Sequence, residues 1–213
     1  MNFHIIMPYH RSYLHDTLKE DLSHKGVIWH PVCDPDEIKD FQNDKEEWIQ
    51  PLLCNYLTIP GDQCYKKVND FIDAGNIISN DYYGFLGDDD MYSPFFIKAV
   101  LSSGAKIIIT SMSRGDNYTT DEVIYNWPPI PIYQKTLEDV RVANIDFCQM
   151  VVKGEILKQT RFHNASVCDD GEYAEYLKNT WGNEIRFISE IGVYKNFYEP
   201  NRYNTDINTV RES

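Results

Sequence analysis

The run Tyr82-Tyr83-Gly84-Phe85-Leu86-Gly87-Asp88-Asp89-Asp90-Met91-Tyr92-Ser93-Pro94 constrains this chain more than any other. Tyr82 to Leu86 is short, apolar and aromatic, and Asn80-Asp81 before it is a turn signal, so it reads as a buried strand. Ser93 is an N-cap residue, and Pro94 suits a first helical position. Phe96 and Val100 then share one helical face, with Phe95 and Ala99 beside them. The aspartates therefore sit at the carboxyl end of a strand. In an open α/β sheet that edge is the ligand crevice.

Three adjacent carboxylates repel one another, and a fold that gathers them has use for a cation. Hard oxygen ligands suit Mg²⁺ or Mn²⁺. Mg²⁺ is commonly shared between one or two carboxylates and substrate phosphates, which points to a nucleoside diphosphate ligand. The competing reading is a solvated acidic turn that favours the dipole of the next helix.

Alternating strands and helices surround this turn. Phe3 to Met7 is an apolar strand that stops at Pro8-Tyr9. Leu14, Leu18 and Leu22 recur every four residues, as on a helix packed against a sheet, and Lys25-Gly26 closes it. Val27 to Cys33 is a second strand. Asp34 and Pro35 suit the start of a helix that carries Ile38 and Phe41 toward Trp48. Ile49 to Leu57 holds a short third strand. Tyr65, Val68, Phe71 and Ile72 share a face of a helix that stops at Gly75, with Lys66 and Lys67 on its solvated side. Lys106 to Thr110, Asn144 to Val152, Ile185 to Ile188 and Val193-Tyr194 are further strands. This order of elements implies βα units and a mostly parallel sheet. Ser113 to Thr136 is long, polar and interrupted by Pro128, Pro129 and Pro131, a pattern that precludes regular structure and marks a functional or mobile connection.

Composition sets bounds on partners. With 213 residues, 42% of them apolar, the chain supports one domain with a sizeable core. A net charge of −13 and a pI of about 4.8 argue against nucleic acid and anionic membrane surfaces. No apolar run approaches the ~20 residues of a membrane span, and no signal peptide is evident. Five widely spaced cysteines without a CxxC pair read as reduced thiols of a cytoplasmic protein. The histidines show no metal-ligand spacing such as HExxH.

Phe85-Leu86-Gly87-Asp88-Asp89-Asp90 resembles the Asp-x-Asp motif of GT-A-fold glycosyltransferases, particularly the small inverting enzymes of family 2 type. The resemblance covers roughly Phe3 to Leu177. It implies an α/β fold, a GT-A-like domain over residues 1–195 with a central mixed, mostly parallel sheet flanked by helices. Within it, 1–112 would be the nucleotide-binding half and 113–195 the acceptor half, with a polar tail at 196–213. The implied activity is transfer of a sugar from a nucleotide diphosphate donor, a UDP-sugar, to a glycan or other acceptor hydroxyl with inversion.

The resemblance also assigns residues. Pro8, Tyr9 and Arg11 would line the nucleotide base, and Asp34 would contact uracil or ribose while still free to cap a helix. Asp88 would lie near the ribose or metal with Asp89 beside the donor, and Asp88 and Asp90 would hold Mn²⁺ or Mg²⁺. Trp127 and Tyr133 would stack on the acceptor. Phe162 to Leu177 resembles the family's late segment, in which a carboxylate at a helix head is the general base. That makes Asp170 the base and puts Asp169 in the family's glutamate position. Asp169 with Glu172 is equally a capping box.

The chain departs from the family in two places. Val68, not arginine, precedes Asn69, and no histidine follows His163 to act as a late metal ligand, so water or the donor would complete the metal shell. Two other readings stand beside this one. A nucleotidyltransferase would use a similar sheet, but such enzymes usually carry a glycine-rich phosphate loop after the first strand, and Met7 to Arg11 has no glycine. A GT-A-like domain that binds without catalysing is the other.

Overall fold

The computed structural model describes residues 1–54, 64–114, 119–120, 123–124, 130–142, 144–163, 169–195 and 197–198. The elements are β1 (Phe3–Pro8), α1 (His15–Leu22), β2 (Val27–Cys33), β3 (Leu52–Leu53), α2 (Cys64–Asp73), β4 (Tyr82–Phe85), β5 (Met91–Tyr92), α3 (Pro94–Ser103) and β6 (Ile107–Arg114). β7 (Thr119–Thr120), β8 (Val123–Ile124), β9 (Ile130–Ile132), β10 (Met150–Lys153), α4 (Gly154–Leu157), α5 (Asp169–Trp181) and β11 (Ile185–Lys195) follow.

Side-chain alternation along the strands builds two cores. Phe3, Ile5 and Met7 of β1 turn to one face of the sheet and Ile6 to the other. A strand apolar on both faces must be covered on both. Leu18 and Leu22 of α1 and Phe96, Ile97 and Val100 of α3 cover the first face. Val68, Phe71 and Ile72 of α2 and Tyr173 and Leu177 of α5 cover the second.

The sheet runs β3-β2-β1-β4-β10-β6-β11-β5, with β9 beside β6, while β7 and β8 pair separately. β2 and β4 lie parallel to β1, β3 to β2, and β11 to β6. β10 runs against both β4 and β6, so β6 has the direction of β4. β5 runs against β11 and β9 against β6. The result is the expected mixed, mostly parallel sheet between helices. The carboxyl ends of β1, β2, β4, β6 and β11 and the amino end of β10 therefore share one edge.

Several local expectations change. The helix after Asp34 is only a 3₁₀ turn, Glu37–Phe41; the polar Asn43-Asp44 that follows favours local side-chain bonds over helix. Asn144 to Val152 is not one strand. Asp146 accepts the Cys148 N–H while the Gln149 side chain accepts the Asp146 N–H, and this capping box forms a 3₁₀ turn, Phe147–Gln149, before β10. The two late strands are one, β11, with register breaks around Ile191. Lys67 is fully buried rather than solvated. The connection from Ser113 is partly regular: β9 pairs with the end of β6, and its Pro131 sits on an edge strand, where proline is tolerated. Trp127, residues 55–57 and most of the tail lie outside the described residues, but Phe197 is buried against Met91. Among the described residues no helix is long and apolar enough to cross a membrane.

The start of α3 follows the sequence closely. Ser93 Oγ accepts the Phe96 N–H at 3.1 Å, Pro94 is the first helical residue, and Gly104 closes the helix at φ +70°. Replacing Ser93 by Ala should cost about 1 kcal/mol and lower the urea midpoint with no change in slope. An unchanged midpoint would mean that the cap contributes nothing here.

Candidate functional site

The carboxyl edge of the sheet is joined across its centre by Asp88. This carboxylate, only 2% exposed, accepts the backbone N–H groups of His10 and Arg11, each at 2.7 Å, and the Arg11 guanidinium. Arg11 also pairs with Asp89 at 3.1 Å. The loop after β1 is thus bound to the turn after β4. The turn closes with the Asp90 N–H donating to the Gly87 carbonyl at 3.1 Å. A Cβ on Gly87 would lie 2.8 Å from an Asp90 carboxylate oxygen, so the carboxylate folds back over this glycine and a larger residue would displace it. Asp90 is itself 2% exposed, not the solvated turn residue that acidic runs usually supply.

A second charge network lies below the β1 loop. Lys67 of α2 donates to the Tyr9 carbonyl at 2.9 Å and to Glu37 at 3.0 Å. Glu37 also accepts His10 Nδ1 at 2.7 Å and the Asp34 N–H at 2.8 Å. Burial opposes ionisation of Glu37, but these bonds together outweigh it and hold the carboxyl at about 2. Among the described residues, His10, Asp34 and Glu37 form the one set of three whose ligand atoms fall within 4.8 Å of one another. The Lys67 ammonium already supplies the cation there.

The third network crosses the cleft at β11. Antiparallel pairing sets Val193 opposite Tyr92 and Tyr194 opposite Met91, and one step further brings Lys195 alongside Asp90. Lys195 forms an ion pair with Asp146, at the head of the turn before β10. Burial works against the Lys195 charge, but Asp146 and Asp90 outweigh it and raise the ammonium above the ordinary lysine range. Burial likewise works against the Asp146 anion, and Lys195 reverses it and lowers that carboxyl. Asp170, in the first turn of α5, belongs to the same field. Burial first, then the negative charge of Asp146, pushes its carboxyl up to about 6, with Lys195 pulling the other way. Tyr198 seals the far side, its N–H donating to the Asp89 carbonyl at 3.1 Å.

The edge thus gathers Arg11, Asp34, Asp88, Asp89, Asp90 and Asp170. Pro8 and Tyr9 are there by backbone, but the Tyr9 ring is buried against Trp29 and Phe41 and its hydroxyl donates to Asp40 at 3.1 Å. Asp169 is buried and lines a separate cavity of about 340 Å³ with Arg161, His163, Glu172 and Tyr173. That cavity holds neither Asp170 nor Asp88 to Asp90, so the two neighbouring aspartates face different surroundings. Asn69 brackets the backbone of Phe162, donating to its carbonyl at 2.7 Å and accepting its N–H at 3.0 Å. It thereby ties Phe162 to α2. Sequence reasoning missed Asp146 and Lys195. A cross-strand register is their only signal, and it is not visible from spacing along the chain.

A divalent cation fits this edge in one way only. Asp88 spends its oxygens on the β1 loop and Arg11. Asp90 and Asp146 are hard oxygen donors, and the Lys195 ammonium is paired with Asp146 and feels the charge of Asp90. Among the described residues no three of these carboxylates close into a preformed cage. The donor set suits a cation that takes one or two protein oxygens and the rest from phosphates.

No family model matches the chain, and no curated protein matches its sequence. Solved structures do share its fold. One is S. aureus TarS 1-349 in complex with UDP, at 16% identity and a TM-score of 0.56, over 93% of this chain and 63% of that one. The chain therefore spans under two thirds of that TarS fragment. A second is a 4-diphosphocytidyl-2C-methyl-D-erythritol synthase, at 11% identity and a TM-score of 0.54, covering 97% and 94%. A third is the inositol-1-phosphate CTP transferase from T. maritima, at 10% identity and a TM-score of 0.56, covering 100% and 95%. These likenesses establish the fold, a single α/β unit with a mixed, mostly parallel sheet between helices.

The geometry of Asp88 fixes the sign of a mutational effect. Were it an open ligand crowded by Asp89 and Asp90, Asp88→Ala would relieve repulsion and stabilise the protein. Because it instead holds two backbone N–H groups and a guanidinium on a buried carboxylate, Asp88→Ala should destabilise by about 2–4 kcal/mol. Chemical denaturation measures this directly, and a stabilised variant would refute the latch.

Proposed function

We propose that the chain is a transferase that moves a sugar from a nucleoside diphosphate donor, a UDP-sugar, to an acceptor hydroxyl with inversion. The observation that carries this reading is Asp170. It stands at the head of α5, on the same edge as Asp90 and Lys195, with its carboxyl pushed up to about 6. A general base works best with a pKa near the operating pH.

Each group then has a task. The edge at Arg11 and Asp34 holds the nucleoside, and the Asp88–Asp90 turn faces the diphosphate. A Mn²⁺ or Mg²⁺ ion shared between Asp90 and the diphosphate would neutralise the charge that develops on the leaving group. Asp170 takes the proton of the acceptor hydroxyl. The acceptor oxygen forms its bond to the anomeric carbon from the face opposite the diphosphate, and the bond from that carbon to the phosphate oxygen breaks. The nucleoside diphosphate leaves with the bonding pair, and the anomeric configuration inverts.

A nucleotidyltransferase is the second reading, and the shared fold favours it as much as the first. The loop after β1 argues against it. The His10 and Arg11 N–H groups, the ones a phosphate loop would aim at a triphosphate, are bound to Asp88. Nucleotidyl transfer would release pyrophosphate, whereas sugar transfer releases UDP, so product analysis separates the two.

Asp170→Asn should leave UDP affinity near wild type and reduce transfer by about 10²–10⁴-fold. In wild type, the rate at low acceptor concentration should fall as pH drops through about 6, since the base must be deprotonated. That acid limb should vanish in the residual activity of the Asn variant. The control is Asp169→Asn, which should keep the limb. Transfer at the wild-type rate by Asp170→Asn would take the base away from α5.

A further inference from the structure

We infer that Lys195 is the resident counter-ion of the cleft and makes the entry of a divalent cation conditional on a diphosphate. The inference rests on the functional reading above and concerns how the site assembles.

The backbone of Lys195 is fixed on both sides. Its strand pairs with β6, where Lys195 lies opposite Arg114, and with β5, where the register brings it alongside Asp90. Its ammonium is bonded to Asp146. The chain that follows is anchored through Phe197 against Met91 and through Tyr198 to the Asp89 carbonyl. Only the four-carbon side chain is left to move.

Asp90 and Asp146 approach this one cleft from two elements, the turn after β4 and the turn before β10. Both offer hard oxygens to a divalent cation, and the ammonium is bonded to Asp146 and lies in the field of Asp90. A metal ion brought to Asp90 would face a positive charge a few ångström away, in surroundings that screen it poorly. A nucleoside diphosphate changes the balance. Its oxygens offer the ammonium a new partner and offer the cation further ligands, so Lys195 swings from Asp146 to the phosphate as the cation arrives. A lysine suits this role because its charge is compact and its stem is flexible. Nothing covalent changes in this exchange.

The test is Mn²⁺ binding followed by electron paramagnetic resonance, with UDP as the nucleotide probe and a protein-free UDP–Mn²⁺ control. Wild type should take up Mn²⁺ only when UDP is present. K195M should bind Mn²⁺ without UDP, at least about tenfold tighter than wild type, from the loss of one nearby positive charge. K195R, which keeps the charge, should behave as wild type. K195Q is measured beside K195M, with thermal melts of both, so that loss of fold in one variant does not remove the test. Equal Mn²⁺ binding by wild type and both neutral variants, with UDP still recruiting the ion, overturns the gate and leaves the functional reading standing. Failure of UDP and Mn²⁺ to bind together to any of these proteins overturns the metal-assisted reading and the gate with it.

Discussion

One carboxylate holds the ends of two neighbouring parallel strands, β1 and β4, together. Asp88 closes the turn after β4 onto the loop after β1, and it does so with charge-assisted bonds to backbone N–H groups as well as to Arg11. Backbone groups at a strand end have lost their ladder partners and, when buried, must be satisfied elsewhere. Asp88 meets that need, and Gly87 leaves the space into which Asp90 folds. The acidic run is thus divided. Its first member is bonded to the β1 loop and Arg11, its second shares Arg11, and its third folds back over Gly87.

That division explains how a strongly acidic chain tolerates so many carboxylates along one edge. Arg11, Lys67 and Lys195 come from a loop, a helix and a strand that are far apart in sequence. Each is set against a different carboxylate: Asp88, Glu37 and Asp146. Lys67 is the most buried of the three and lies deepest, under the β1 loop. Buried pairs of this kind contribute little net stability, but removing one partner is costly. They therefore specify an arrangement more than they strengthen it. Asp170 differs from the others. It feels Asp146 and Lys195 but pairs fully with neither, and its shift toward neutrality follows from that position.

Local chemistry was legible and long-range register was not. The strand from Tyr82, the Ser93 cap, the Leu14-Leu18-Leu22 face and the stop at Gly75 depend on neighbours a few residues away, and all appear where the pattern put them. The extent of the helix after Asp34 was overread, because Ile38 and Phe41 satisfy a helical period over only one turn. Helical spacing puts Lys67 on a solvated face, and it is buried instead because its partner, Glu37, lies thirty residues earlier. Asp146 was hidden inside an apolar run that reads as strand, and Lys195 at the end of one. Their meeting depends on β11 lying between β6 and β5, which no spacing along the chain reveals.

The choice between attack at carbon and attack at phosphorus turns on the same contacts. A phosphate loop works by presenting free N–H groups to an anion. Here the N–H groups at the end of β1 already hold an anion, Asp88, so the fold has filled that position with its own carboxylate. What remains open to chemistry is the far wall of the cleft, where β10, β11 and α5 bring an ammonium and a carboxyl of raised pKa to one edge. An ammonium suits a departing diphosphate, and a carboxyl poised near 6 suits an incoming hydroxyl. On the proposed reading, with the nucleoside at the β1 and β2 ends, those two groups would lie beyond the diphosphate, where a transferred sugar and its acceptor would stand.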